Sequence, residues 1–81
     1  MPDKHISSQF DAELNTISTL VLEMGGLVES QLHQAVYALV NMSRESAERV
    51  VENEVRINQF EIQIDQAVIS TIGRRQPTAR D

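Results

Sequence analysis

The stretch that decides the fold is VVENEVRINQFEIQIDQAVISTI, from Val50 to Ile72. Its apolar residues recur at steps of three and four, which is the period of an amphipathic helix. One apolar line consists of Val50, Ile57, Ile64 and Val68, and a second consists of Val51, Val55, Ile62 and Ile69. The two lines together predict a helix whose apolar arc is wider than one partner helix can cover.

A stripe of polar residues runs between those two apolar lines. It consists of Glu54, Asn58, Glu61 and Asp65. Because the opposite side of the helix is already polar, we expect this acid stripe to be buried. Burying an unpaired carboxylate costs several kcal/mol. Glu61 and Asp65 are therefore expected to meet a cation, a basic partner or trapped water.

A second long helix is predicted upstream, over residues 8–41. Ser8 and Asp11 have capping-box spacing, and residues 1–7 form an aperiodic lead-in that we expect to be disordered. The apolar line consists of Phe10, Leu14, Ile17, Val21, Met24, Val28, Leu32, Ala35, Leu39 and Met42. This line keeps its phase across Gly25 and Gly26, so we expect an unbroken helix in which Gly25 admits a neighbouring backbone.

The ends of the second helix, residues 44–72, are also predicted. Ser43 is a good N-cap and Gly73 a good C-cap. The short connection makes the two helices antiparallel neighbours, so the fold class is all-α and the architecture a helical hairpin. Residues 74–81, which contain Pro77, resemble the start of a third helix. The chain is thus expected to be an incomplete three-helix bundle that self-association, most simply as a homodimer, completes.

A second apolar line on each helix is expected to stay open to water in a lone hairpin. On the first helix this line consists of Leu20, Leu27 and Ala38, and on the second of Val51, Val55, Ile62 and Ile69.

Composition excludes several classes of function. Seven Lys plus Arg against twelve Asp plus Glu give a net charge of −5, which makes nucleic acid a poor partner. Cysteine is absent, so thiolate metal sites and cysteine nucleophiles are excluded. No apolar run approaches the ~20 residues of a membrane span. The chain is expected to be cytoplasmic and at most peripheral to a membrane.

Several stretches together resemble the PhoU family of the bacterial phosphate-specific transport system. In chain order they are KHIS at 4–7, QFDAEL at 9–14, MGGLVE at 24–29, EIQID at 61–65 and RQPTARD at 75–81. The resemblance implies two similar three-helix bundles, of which this chain corresponds to part of the first. It also implies a non-enzymatic regulator that links a phosphate ABC transporter to a sensor histidine kinase and represses the phosphate-starvation genes.

The same resemblance implies a metal site. Family members bind metal through a Glu or Asp followed four residues later by Asp, and Glu61 and Asp65 match that motif. Carboxylates one helical turn apart suit Mg, Mn, Ca, Fe or Zn, although two of them cannot complete a coordination shell. Glu54 and Asn58 are second-rank candidates, because Asn58 is neutral.

Two other readings of the sequence stay open. The first is a helical dimerisation module with no metal and no link to phosphate. The second is a metal-dependent hydrolase of the helical-bundle kind, which would need histidines or further carboxylates facing one cavity. His5 and His33 stand alone and are interpreted as surface residues, and no phosphate-binding glycine loop is present.

Overall fold

A computed structural model describes residues 2–75 of the chain, and the side chains of residues 8–75. Helix α1 spans Pro2–Asn41 and helix α2 spans Arg44–Arg75. The two helices pack against each other in an antiparallel hairpin, and the described residues include no strand. The predicted all-α hairpin is therefore confirmed.

Helix α1 is continuous through Gly25 and Gly26, as the unbroken apolar phase predicts. Within the hairpin, however, no neighbouring backbone approaches Gly25, because a Cβ atom at either glycine would meet nothing within 4 Å. Helix α1 also begins at Pro2, six residues before the predicted start at Ser8. Proline is well suited to the first turn of a helix, where its missing N–H costs no hydrogen bond.

The connection between the helices consists of only Met42 and Ser43. The Ser43 N–H donates to the Ala38 carbonyl at 2.9 Å and the Met42 N–H to the Leu39 carbonyl at 3.4 Å, the two bonds of a Schellman motif. Met42 accordingly has a left-handed φ of 51°. Ser43 also caps α2, since its Oγ accepts from the Ser46 N–H at 3.1 Å. One serine therefore ends the turn and begins the next helix, which forces the chain to reverse at once.

The seam between the helices repeats at alternating steps of four and three residues, as in a coiled coil. On α1 it contains the half-buried Glu13, Ile17, Leu20, Met24, Leu27, Gln31, Gln34, Ala35 and Ala38. On α2 it contains the half-buried Val50, Asn53, Ile57, Phe60, Ile64, Ala67 and Arg75, together with the buried Ser46 and Thr71. In the half of the seam nearest the connection, the Gln31 Nε2 donates to the Val50 carbonyl at 2.9 Å.

The seam corrects the predicted apolar lines on α1. Leu20, Leu27 and Ala38 were expected to face water, but they lie in the seam, whereas Val21, Val28 and Leu39 are exposed. The seam runs along the edge of the broad apolar arc, because polar residues such as Glu13 and Gln31 share it. On α2 the prediction is confirmed, since the line Val51, Val55, Ile62 and Ile69 is exposed.

The end of α2 also differs from its prediction. Gly73 was expected to end the helix, but it has no positive φ and α2 continues to Arg75. The two arginines that follow Gly73 bond to groups on both helices, which holds the last turn in place. The rest of the predicted third-helix start, residues 76–81, lies outside the described residues.

Two helices alone make a thin, elongated layer. The radius of gyration is 18.4 Å, with extents of 60 × 26 × 13 Å, whereas a compact chain of this length has a radius of about 12 Å. Among the described residues no apolar side chain is fully buried. One long face of the hairpin therefore remains without a packing partner.

Candidate functional site

The open face of the hairpin contains a groove between the two helices. Near the connection its walls are formed by Ala35, Ala38 and Leu39 from α1 and by Ala47 and Val50 from α2. These apolar residues come from both helices and line the same cleft. They therefore show which side of α1 and which side of α2 form the two walls of the groove.

The two walls can be followed along the hairpin at intervals of seven residues, since seven residues make almost two helical turns. From Ala35, the α1 wall continues toward the open end through Val28, Val21 and Leu14. From Ala47, the α2 wall continues through Glu54, Glu61, Val68 and Arg75. The groove is therefore apolar along α1 and carries acidic residues along the middle of α2.

The acid stripe lies on this face, but its members are exposed rather than buried. Glu54, Asn58, Glu61 and Asp65 all face water in the hairpin. The predicted burial of Glu61 and Asp65 is therefore wrong for the hairpin alone, because the second apolar line beside them is also uncovered. Burial of these carboxylates requires another element to cover the groove.

The charges around the stripe offer the acids no counterion. Residues 8–41 of α1 contain no Lys or Arg, and Arg56 is the one basic residue between positions 50 and 73. Within the described part of the chain, the ion pairs involve other carboxylates, those of Glu13, Glu45 and Glu48. An element that covers this groove must therefore bring positive charge to the carboxylates or leave them hydrated.

Glu61 and Asp65 keep the one-turn spacing that was predicted from the sequence. They are one turn apart on an open helix face, so both carboxylates can reach one hard cation from the same side. Within residues 8–75, no group of three or more His, Cys, Asp or Glu side chains is placed to hold a metal ion. Two carboxylates do not complete a coordination shell, and Glu54 and Asn58 do not extend the pair to a larger group. His33 lies exposed on α1.

A cluster at the open end of the hairpin was missed by sequence reasoning. Glu13 accepts hydrogen bonds from Arg74 and from Arg75, and the Arg75 guanidinium lies over the Phe10 ring. Phe10 was predicted only as part of the apolar line of the first helix, and no contact between Glu13 and the two arginines was predicted. Glu13 continues the seven-residue phase of the α1 seam, and Arg74 continues that of the α2 seam after Phe60 and Ala67, so this phase is the signal that could have placed Glu13 and Arg74 together.

Comparisons with known proteins agree on one family. A family model described as the PhoU domain matches residues 21–81. A phosphate-specific transport system accessory protein PhoU from Serratia marcescens is 52% identical over 79 residues, which are 98% of this chain and 32% of that protein. The PhoU homolog from a Burkholderia species is 52% identical over 81 residues, or 100% of this chain and 34% of its own.

The PhoU protein of Escherichia coli K12 is 48% identical over 79 residues, covering 98% of this chain and 33% of that relative. The chain thus spans about a third of the length of the curated relatives that it matches. No solved structure matches the chain. Neither of the two helices, over the residues that are described, is long and apolar enough to cross a bilayer.

Proposed function

Because the chain belongs to the PhoU family, we propose that it forms part of an accessory protein of bacterial phosphate uptake. The observation that carries the proposal is the identity of about half of all residues with phosphate-specific transport accessory proteins along nearly the whole chain. The open groove supports it, because a hairpin with an uncovered face suits a part that packs against further helices of a larger protein.

The proposed role is regulation by protein contact. The chain contributes one hairpin to a cytoplasmic regulator that connects a phosphate ABC transporter to a sensor histidine kinase. It keeps the phosphate-starvation genes off when phosphate is plentiful. No step of this role needs catalysis, and we assign none to the hairpin.

A genetic complementation experiment tests this role. In Escherichia coli, residues of the resident relative that correspond to this chain are replaced by the chain itself, and a reporter gene under a phosphate-repressed promoter is measured in high phosphate. Repression equal to that of the unmodified relative supports the proposal. Constant reporter expression from a chimera that is folded and present at normal level contradicts it.

The chimera also needs a matched control. Ile57→Glu places a charge in the half-buried seam and is expected to abolish repression together with folding. Gln59→Glu places the same charge on the solvated side of α2 and is expected to leave repression intact.

We further propose that Glu61 and Asp65 are ligands of a metal ion in the larger protein. When bound, the ion would offset the negative charge of the acid stripe and so allow the groove to be covered. The two carboxylates hold part of the coordination shell, and oxygen ligands from outside the described residues complete it. Asn58 and Glu54 lie about one and two turns before Glu61 and would act as secondary contacts.

The metal proposal predicts a selective loss of binding. In the chimera, Glu61→Gln with Asp65→Asn should weaken the binding of Mn²⁺ or Fe³⁺ by at least about tenfold, or ~1.4 kcal/mol. Isothermal titration calorimetry measures this change. Glu48→Gln with Glu52→Gln is the matched control, because it removes two charges at the same spacing from the opposite face. An equal loss of metal affinity in both double variants would show a general effect of negative charge. It would contradict the proposal that Glu61 and Asp65 bind the ion directly.

A second candidate function is a helical dimerisation module without metal or phosphate. The exposed line Val51, Val55, Ile62 and Ile69 favours it, because such a line is usually covered in a stable protein. In that case the isolated hairpin should form a stable dimer with a second copy, and the chimera should fail to restore repression.

A further inference from the structure

A cluster of four side chains joins the two helices at the end of the hairpin away from the connection. One Glu13 oxygen accepts from Arg75 Nη2 at 2.8 Å, and the other accepts from Arg74. Arg74 also donates to the Ser70 Oγ at 2.6 Å. The Arg75 guanidinium carbon lies 5.0 Å from the centroid of the Phe10 ring, within cation–π range. We call Phe10, Glu13, Arg74 and Arg75 the clasp.

The clasp differs in kind from the other ion pairs of the described residues. Arg44 with Glu48 and Arg49 with Glu45 join residues four apart on one helix, and their side chains are mostly exposed. The clasp instead joins residues more than sixty positions apart. The side chains of Glu13 and Arg75 are only 18% and 25% exposed. A partly buried, charge-assisted pair of this kind is screened less by salt than a surface pair.

Apolar packing at this end of the hairpin is weak. The seam there contains Ala67 and Thr71, and a cleft of about 170 Å³ beside it is lined by Thr16, Ile17 and Ser70 among others. The only covalent link between the helices is the connection at Met42 and Ser43, near the opposite end. Without the clasp, the last turns of α2 and the part of α1 around Glu13 would have little to hold them together and would fray.

From these observations we propose that the clasp locks the open end of the hairpin by holding the last turn of α2 against α1. Arg75 is the last described residue of α2 and continues the groove wall beyond Glu61 and Val68, so the clasp also holds this end of the wall. The inference rests on contacts within the hairpin and does not depend on the phosphate role or on a metal.

Hydrogen exchange of the full 81-residue chain tests the clasp, with Glu13→Gln, Arg75→Gln and the double variant compared. Glu13→Gln and Arg75→Gln should each accelerate amide exchange by about tenfold in the last two turns of α2 and in residues 10–17. Amides near the connection, in residues 38–50, should keep their rates. The double variant should exchange no faster than the faster single variant, because both changes break one unit.

Two further variants keep the test decisive. Glu45→Gln breaks the exposed pair with Arg49 and should change exchange nowhere by more than about twofold. Arg75→Lys keeps the charge but loses the planar fork, and should give a local acceleration smaller than Arg75→Gln. The proposal would be overturned if amide exchange accelerated uniformly along both helices, or by no more than in Glu45→Gln. It would also be overturned if the accelerations of the two single variants multiplied in the double variant.

Discussion

At the scale of single residues, Met42 stands out because it adopts a left-handed backbone without being glycine. Its φ is 51°, and its side chain is 87% exposed, so it contributes little packing in return. A non-glycine residue in this region is disfavoured by roughly 1–2 kcal/mol. The Schellman hydrogen bonds at the connection are what hold it there.

Met42→Gly should therefore stabilise the hairpin by about 1 kcal/mol, after the greater entropy of glycine in the unfolded chain offsets part of the gain. Urea unfolding followed by circular dichroism measures the shift. Val40→Gly is the matched control, because Val40 is exposed within the helix, and it should destabilise by about 0.5 kcal/mol. A loss of stability in Met42→Gly would show that the methionine side chain has a contact that the hairpin alone does not reveal.

At the scale of elements, α1 shows how a long helix accommodates two adjacent glycines. Gly25 and Gly26 lie on the exposed side, with open space where a Cβ would be and without positive φ. The apolar seam on both sides of them, through Met24 and Leu27, keeps the helix continuous. Packing thus outweighs the poor helix propensity of glycine.

Gly25→Ala and Gly26→Ala should each stabilise the hairpin by about 0.5–1 kcal/mol, because alanine has the higher helix propensity and nothing in the hairpin blocks its Cβ. Thermal or urea unfolding of the 81-residue chain checks this. The same substitutions in the chimera with the longer relative provide the contrast. A gain in the hairpin that becomes a loss in the chimera would mean that another helix packs closely on these glycines.

At the scale of the whole molecule, the uncovered face predicts self-association of the isolated chain. No apolar side chain of the described residues is fully buried, while Val51, Ile62 and Ile69 are largely exposed. At ~25 cal/mol per Å², burying even a few hundred Å² of this face between two copies is worth several kcal/mol. A two-fold dimer that forms a four-helix bundle is the simplest arrangement.

Sedimentation at micromolar concentration should show a species of about twice the 9.1 kDa chain mass that dissociates on dilution. Ile62→Glu should weaken this association by at least about tenfold, because it places a charge on the apolar face. Gln59→Glu adds the same charge on the solvated side of α2 and should have little effect. A monomer with cooperative melting, or equal effects of both variants, would contradict the prediction.

The amino-acid sequence by itself determined the two helices of this protein and the way they are joined. Two helices with wide apolar arcs, their antiparallel pairing through Ser43, and an open second line on α2 all follow from helical period and capping, which are local properties of the chain. The Glu61 and Asp65 pair was also found by spacing, and its role as a metal ligand stays a prediction. The family was suggested by stretches that the comparisons then confirmed.

Only the tertiary structure decided which edge of each arc forms the seam. An arc of more than half the helix circumference allows several pairings, and the choice depends on contacts between residues far apart in sequence. Glu13 with Arg75, and Gln31 with the Val50 carbonyl, are such contacts. In the pairing that contains these contacts, Leu20 and Leu27 lie in the seam, whereas Val21 and Val28 face the groove. The exposure of the acid stripe could not be predicted from the sequence of α2 either. Burial of Glu61 and Asp65 depends on what packs over the groove, which the helix that carries them does not determine.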